Sequence, residues 1–213
     1  MSEIVEITVY QFDELNEEAK AKARNWYREG ALDYPWWEFV YDDFQAVCEL
    51  LGVTLRTSSV RLMGGGTRQK PNIYFRGFWS QGDGACFEGT YRYRRASASA
   101  IRAYAPFDKE LHQIARTLAE IQRRNFYQLE ANILHRGRYY HEYSMVIDVD
   151  HDRSDHGPSN DGEEVVKEGL RDLARWLYRR LEHEYEHLTS DAVVDDALVA
   201  GDCRFRADGT LFV

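Results

Sequence analysis

Phe78-Trp79-Ser80-Gln81-Gly82-Asp83-Gly84-Ala85-Cys86-Phe87-Glu88-Gly89 decides how the middle of this chain is read. The aromatic, β-prone stretches Asn72 to Trp79 and Ala85 to Arg94 lie on either side of its glycines, the pattern of a hairpin with an elaborated turn. Glycine reaches positive φ without steric cost, and Gly-Asp-Gly offers backbone N–H groups and a carboxylate within a few residues. No base is paired with a nucleophile there, so the loop reads as a shaped recognition surface and not as a catalytic centre.

Outward from this hairpin, Met63-Gly64-Gly65-Gly66-Thr67 reads as a flexible connector or turn, and neither glycine cluster has the Lys-Ser/Thr of a phosphate loop. Towards the start, Ile4 to Tyr10 alternates like a strand. Asn16 offers an N-cap to a helix that Gly30 ends, and a second helix runs from Pro35 to a stop at Gly52. Downstream, Ala96 to Tyr104 and Phe107 to Ile121 have helical spacing. Leu129 to His135 and Tyr139 to Ile147 alternate as two strands, closed by a turn at Arg136-Gly137-Arg138. After a polar loop at 151–162 comes a long amphipathic helix with Val166, Leu170, Leu173, Leu177, Leu181 and Leu188 on one stripe. Ser190 caps a short helix, and Asp208-Gly209 marks a terminal hairpin or an added edge strand. Paired helices alternating with hairpins predict an α+β fold, an antiparallel sheet with helices packed mainly on one face. The expected organisation is a single domain, 1–213, with a hinge at 151–162.

At 213 residues and 44% hydrophobic, the chain is long enough to bury a proper core. A formal charge of -9, with 27 basic against 36 acidic residues, argues against general nucleic-acid binding through the phosphate backbone, while leaving room for a local basic patch. Cys48, Cys86 and Cys203 are odd in number and widely spaced, as expected of reduced cytoplasmic thiols. No signal-peptide pattern opens the sequence and no run of about 18 apolar residues occurs, so no membrane span is expected. No cofactor is expected either.

His183-Glu184-Tyr185-Glu186-His187 matches the His-Glu-x-x-His pattern of zinc peptidases. On a helical wheel Glu184 falls with the leucine stripe, whereas His183 and His187 lie on a flank with no third ligand in view. A solvated helix flank is therefore the preferred reading, and a metal-dependent hydrolase using His183 and His187 is kept as an alternative. His151-Asp152-Arg153-Ser154-Asp155-His156 reads as a polar surface loop. Cys86 reads as a buried strand thiol. More suggestive is His135-Arg136-Gly137-Arg138-Tyr139-Tyr140-His141-Glu142, because arginine forks and aromatic faces grip phosphates, bases or acidic protein surfaces. Trp79, Ser80, Gln81, Asp83, Arg92, Arg136, Arg138, Tyr139 and His141 are accordingly the candidate binding residues.

Along Tyr10-Gln11-Phe12-Asp13-Glu14-Leu15, Phe78 to Gly89, Arg124-Asn125-Phe126-Tyr127-Gln128-Leu129, His135 to Glu142 and Leu188-Thr189-Ser190-Asp191, the chain resembles a family of phage, prophage and mobile-element proteins often labelled antitoxin of a toxin–antitoxin stability system. The resemblance implies a cytoplasmic, non-enzymatic protein of a bacterial host cell. Its partner would be a bacterial host or toxin protein, bound in antitoxin-like inhibition or counter-defence. A second possibility, from the same arginines and aromatics, is sequestration of a small nucleotide signal.

Overall fold

The structure, a computed structural model, describes residues 6–30, 32–152, 158–159 and 161–212. A short strand β1 (Tyr10–Gln11) leads through a 3-10 turn at Phe12–Glu14 into α1 (Glu17–Gly30), whose start Asn16 fixes by accepting the Ala19 N–H at 2.9 Å. α2 (Glu38–Leu51) ends at Gly52. Six strands follow: β2 (Val53–Leu55), β3 (Thr57–Arg61), β4 (Thr67–Pro71), β5 (Ile73–Arg76), β6 (Gly84–Phe87) and β7 (Gly89–Arg92). Next come α3 (Ser97–Tyr104) and α4 (Lys109–Arg124), the latter capped by Asp108, which accepts the Leu111 N–H at 2.8 Å. β8 (Leu129–His135), β9 (Met145–His151), α5 (Gly162–Leu188), α6 (Asp191–Ala200) and β10 (Arg204–Phe205) complete the order. The fold is α+β, and every strand pairing among the described residues is antiparallel.

Two compact units are formed, residues 1–38 with 182–213, and residues 39–181. In the first, α1 packs on α6 and β1 pairs with β10 around a core of Phe12, Leu15, Ala19, Ala23, Val194, Leu198 and Phe205. Arg24 grips both carboxylate oxygens of Asp195, at 2.6 and 2.7 Å, and this hydrogen-bonded pairing holds the Asp195 carboxyl below its ordinary range. The strand expected over Ile4–Tyr10 is shorter. Ile4 and Val5 lie outside the described residues, and pairing is confined to Tyr10–Gln11 because β10 offers only two residues. The terminal hairpin does form, with Phe205 bridging Leu211 as well as Tyr10.

In the second unit, a four-stranded sheet has the order β2-β7-β8-β9. Alternation divides its faces: Tyr91, Leu129, Ala131, Ile133, Met145, Ile147 and Val149 are buried, while Thr90, Arg92, Val146, Asp148 and Asp150 are exposed. On the buried side Gln122 of α4 grips the backbone of Leu129 from both ends of its amide, donating to the carbonyl at 2.7 Å and accepting the N–H at 3.2 Å. Phe44 of α2 packs on Phe87 of β6 and stacks on Trp176 of α5. Gly169 lets α5 approach α4, since a Cβ there would stand 2.8 Å from Leu118 Cδ2.

Two sequence expectations are corrected here and a third is narrowed. The run Ala85 to Arg94 is not one strand: it divides at Glu88 into β6, paired with β5, and β7, paired with β2 and β8. Gly89 allows the change of sheet, because a Cβ would lie 2.4 Å from the Thr54 carbonyl oxygen. Of the two readings of Met63-Gly64-Gly65-Gly66-Thr67, connector or turn, the turn is the one formed, at the tip of the β3–β4 ribbon, which is exposed throughout Thr57 to Lys70. Finally, β8 and β9 pair as expected, yet not through a tight turn at Arg136-Gly137-Arg138. His135 pairs with Met145, and residues 136–144 form a long loop ending in a 3-10 turn at Glu142–Ser144. Of the expected hinge at 151–162, residues 153–157 and 160 lie outside the described residues, and with them most of the His151–His156 cluster.

Where β2, β3, β4, β5, β6 and β7 meet, three backbone hydrogen bonds close a ring. Arg56 donates to the Glu88 carbonyl at 2.8 Å, Glu88 to that of Asn72 at 3.0 Å, and Asn72 to that of Arg56 at 2.8 Å. Side chains reinforce the junction: Asn72 Nδ2 donates to Glu88 Oε2 at 2.6 Å, and Ser58 Oγ to Asn72 Oδ1 at 2.7 Å. The second Glu88 oxygen accepts the His135 N–H at 3.1 Å, tying the end of β8 to the same point.

Candidate functional site

The glycine loop between β5 and β6 is locked by its own acid. Asp83 Oδ2 accepts the N–H groups of Trp79 at 3.0 Å and Ser80 at 2.6 Å, and the Asp83 N–H returns to the Ser80 carbonyl at 3.0 Å. Across this turn lies the 136–144 loop. Gly82, at φ +91, sits against the Tyr139 ring, where a Cβ would come within 2.6 Å of Cδ1. Gly84 faces His141 and Tyr140, where a Cβ would lie 2.8 Å from both the His141 Cα and the Tyr140 carbonyl oxygen. The two loops therefore interlock through their glycines.

The 136–144 loop is held from within as well. His135 Nε2 donates to the Tyr139 carbonyl at 2.9 Å, and His141 Nδ1 accepts the Tyr143 N–H at 3.1 Å. Tyr74 stacks on Tyr140 at 5.4 Å with 12° between the rings, and His135 packs against both. Arg138 lies over the Tyr139 ring, 4.6 Å from its centroid, and bonds its hydroxyl.

One stretch of α5 buttresses both loops. Tyr178 donates to the Gly77 carbonyl at 3.2 Å and packs on Phe78, while Arg171 lies 5.2 Å from the Tyr143 ring centroid. Arg175 gathers Glu142 at 3.5 Å with Glu168 and Asp172 at 2.5 Å, and its hydrogen bonding lowers the Glu168 pKa. These three residues escaped the sequence reading, which followed the leucine stripe of α5. Their signal was the spacing Arg171, Arg175, Tyr178 along one flank of the leucine stripe.

The structure thus brings together Trp79, Ser80, Gln81, Asp83, Arg136, Arg138, Tyr139 and His141 on one pair of loops. Trp79 is 79% exposed, while Arg136 and Arg138 are exposed and His141 is half-buried. Arg92 is not part of this group. It pairs with Glu130 at 2.7 Å on the outer face of the four-stranded sheet, five residues along β8 from His135, or roughly 16 Å at strand rise. Cys86 lies buried on β6 beneath the loops, and burial pushes its thiol up to about 12, so it holds its proton at neutral pH. His183 and His187 are exposed on α5. Among the described residues no group of three His, Cys, Asp or Glu side chains is placed to hold a metal ion, and no helix is long and apolar enough to cross a membrane.

Neither curated proteins nor solved structures give a match to this chain. A family model does match residues 36–191, the stretch containing both interlocked loops, the backbone ring beneath them and the buttressing part of α5. The chain belongs to the family described as Domain of unknown function (DUF8835).

Proposed function

We propose that this is a non-enzymatic binding protein of a phage or mobile element, antitoxin-like or counter-defence in role, which occupies a bacterial protein in the cytoplasm of the host. The observation that carries the reading is the interlocking of the two loops through Gly82 and Gly84. Protein interfaces draw most of their affinity from a few Trp, Tyr and Arg anchors, and affinity improves when those anchors lose little freedom on binding. Trp79, Arg138 and Tyr139 fit that description, standing on loops with little room to rearrange. A nucleotide signal is the weaker alternative, since Tyr74 and Tyr140, suitable rings for stacking a base, already stack on each other.

A photoreactive benzophenone amino acid in place of Trp79, introduced in bacterial cells, tests the reading. One crosslinked protein, lost when Arg138 and Tyr139 are both changed to alanine, supports it. The same crosslinks from a probe at Thr90, on the exposed sheet face, would overturn it. A melting shift with nucleotides and none with the captured protein would favour sequestration instead.

A further inference from the structure

Between Glu49 and Asp83 the sequence contains Arg56, Arg61, Arg68, Lys70 and Arg76 and no acid, although the whole chain has a formal charge of -9. Three of these cations lie on the β3–β4 ribbon and a fourth at its base. Every residue from Arg56 to Lys70 is exposed. The register places Ser58 with Lys70 and Val60 with Arg68 on one face, and Arg61 with Thr67 on the other, so cations project from both faces. Among the described residues none of the five takes part in an ion pair.

The tip adds an independent observation. Leu62 is 47% and Met63 108% exposed, and a Cβ at Gly64, Gly65 or Gly66 would meet nothing within 4 Å. Gly65 and Gly66 have positive φ and are explained by the turn, but Gly64 does not and is not. A side chain is missing there with neither backbone conformation nor packing requiring it, as expected where another surface approaches the backbone. Charges on an exposed ribbon also deter edge-to-edge pairing, and lysine is the usual one, but three of the four cations here are arginine, whose fork suits phosphate. Cations alone, in an acidic chain, point to a polyanion.

We propose that the β3–β4 ribbon is an arm that binds duplex DNA. A two-stranded ribbon fits a DNA groove, and cations on both faces meet phosphates on both walls. The small apolar tip lies against the groove floor. Because the rest of the chain is acidic, contact is limited to the ribbon and its base, so binding is weak and strongly salt-dependent.

Fluorescence anisotropy of a short fluorescein-labelled duplex, titrated with the full chain from low to physiological salt, tests this. The expected slope of log affinity against log salt is about -3.6 to -4.5, from some four to five neutralised phosphates. Changing Arg61, Arg68 and Lys70 together to alanine should make it shallower by about 2 to 3 and weaken low-salt binding at least tenfold. Gly64→Glu, in open space, keeps the native melting temperature and also weakens binding, so a folding defect in the triple variant does not blur the result. No binding at low salt, or unchanged binding in both variants, overturns the proposal. So does binding to phosphatidylserine vesicles without binding to DNA.

Discussion

Asp83 commits one carboxylate oxygen to two N–H groups of its own turn, so its first effect is on stability. Asp83→Ala should lower stability by about 0.5–1.5 kcal/mol in urea unfolding, the net worth of these bonds, because water reaches the exposed N–H groups once the carboxylate is gone. Trp79→Ala removes an exposed ring and should leave melting nearly unchanged, while partner affinity falls by about 2 kcal/mol or more. Asp195 adds a pH signature. Its folded pKa lies below the unfolded value near 3.9, so the Arg24 pairing contributes fully above that value and is lost as pH falls through the folded one. Asp195→Asn should therefore cost on the order of 1–2 kcal/mol at neutral pH, and urea melts should find the deficit shrinking below about pH 4.

At the scale of elements, α5 is what holds the loops in place. Arg175→Ala removes the partner of Glu142, Glu168 and Asp172, and hydrogen exchange should quicken in 136–144 while β8 and β9 stay protected. Unchanged exchange in that loop would show that the glycine contacts suffice alone. The helices, the β5–β6 hairpin and the pairing of β8 with β9 were legible in the sequence because apolar period and breakers agree there. The 136–144 loop was not: Tyr139, His141 and Tyr143 alternate like a strand, but Tyr139 and His141 pack against Gly82 and Gly84. The β3–β4 ribbon was invisible for the opposite reason, since a ribbon exposed on both faces has no hydrophobic alternation. Of the candidate site, the two loops could be chosen by composition, but their buttress lay on the polar flank of a helix that was read only for its leucines. Arg92 could not be separated from the site by composition, because only strand register shows that it lies on a different sheet face.

Over the whole molecule, each unit has a core of its own. Phe205→Ala opens a cavity in the first and should cost about 3–5 kcal/mol. Amides of 17–30 and 191–200 should lose exchange protection before those of 111–121 and 129–135; simultaneous loss would mean that the molecule melts as one. The ring at Arg56, Asn72 and Glu88 has a consequence of another kind. Each of its residues is both donor and acceptor, so displacing any one of them by a single step breaks two of the three bonds at once. A two-stranded ribbon with polar residues on both faces is ordinarily free to mispair, because nothing tells inside from outside. Here the ring serves as a keyway: the exposed ribbon inherits its alignment from a joint at its root, and its outer surface is left free to change without loss of register.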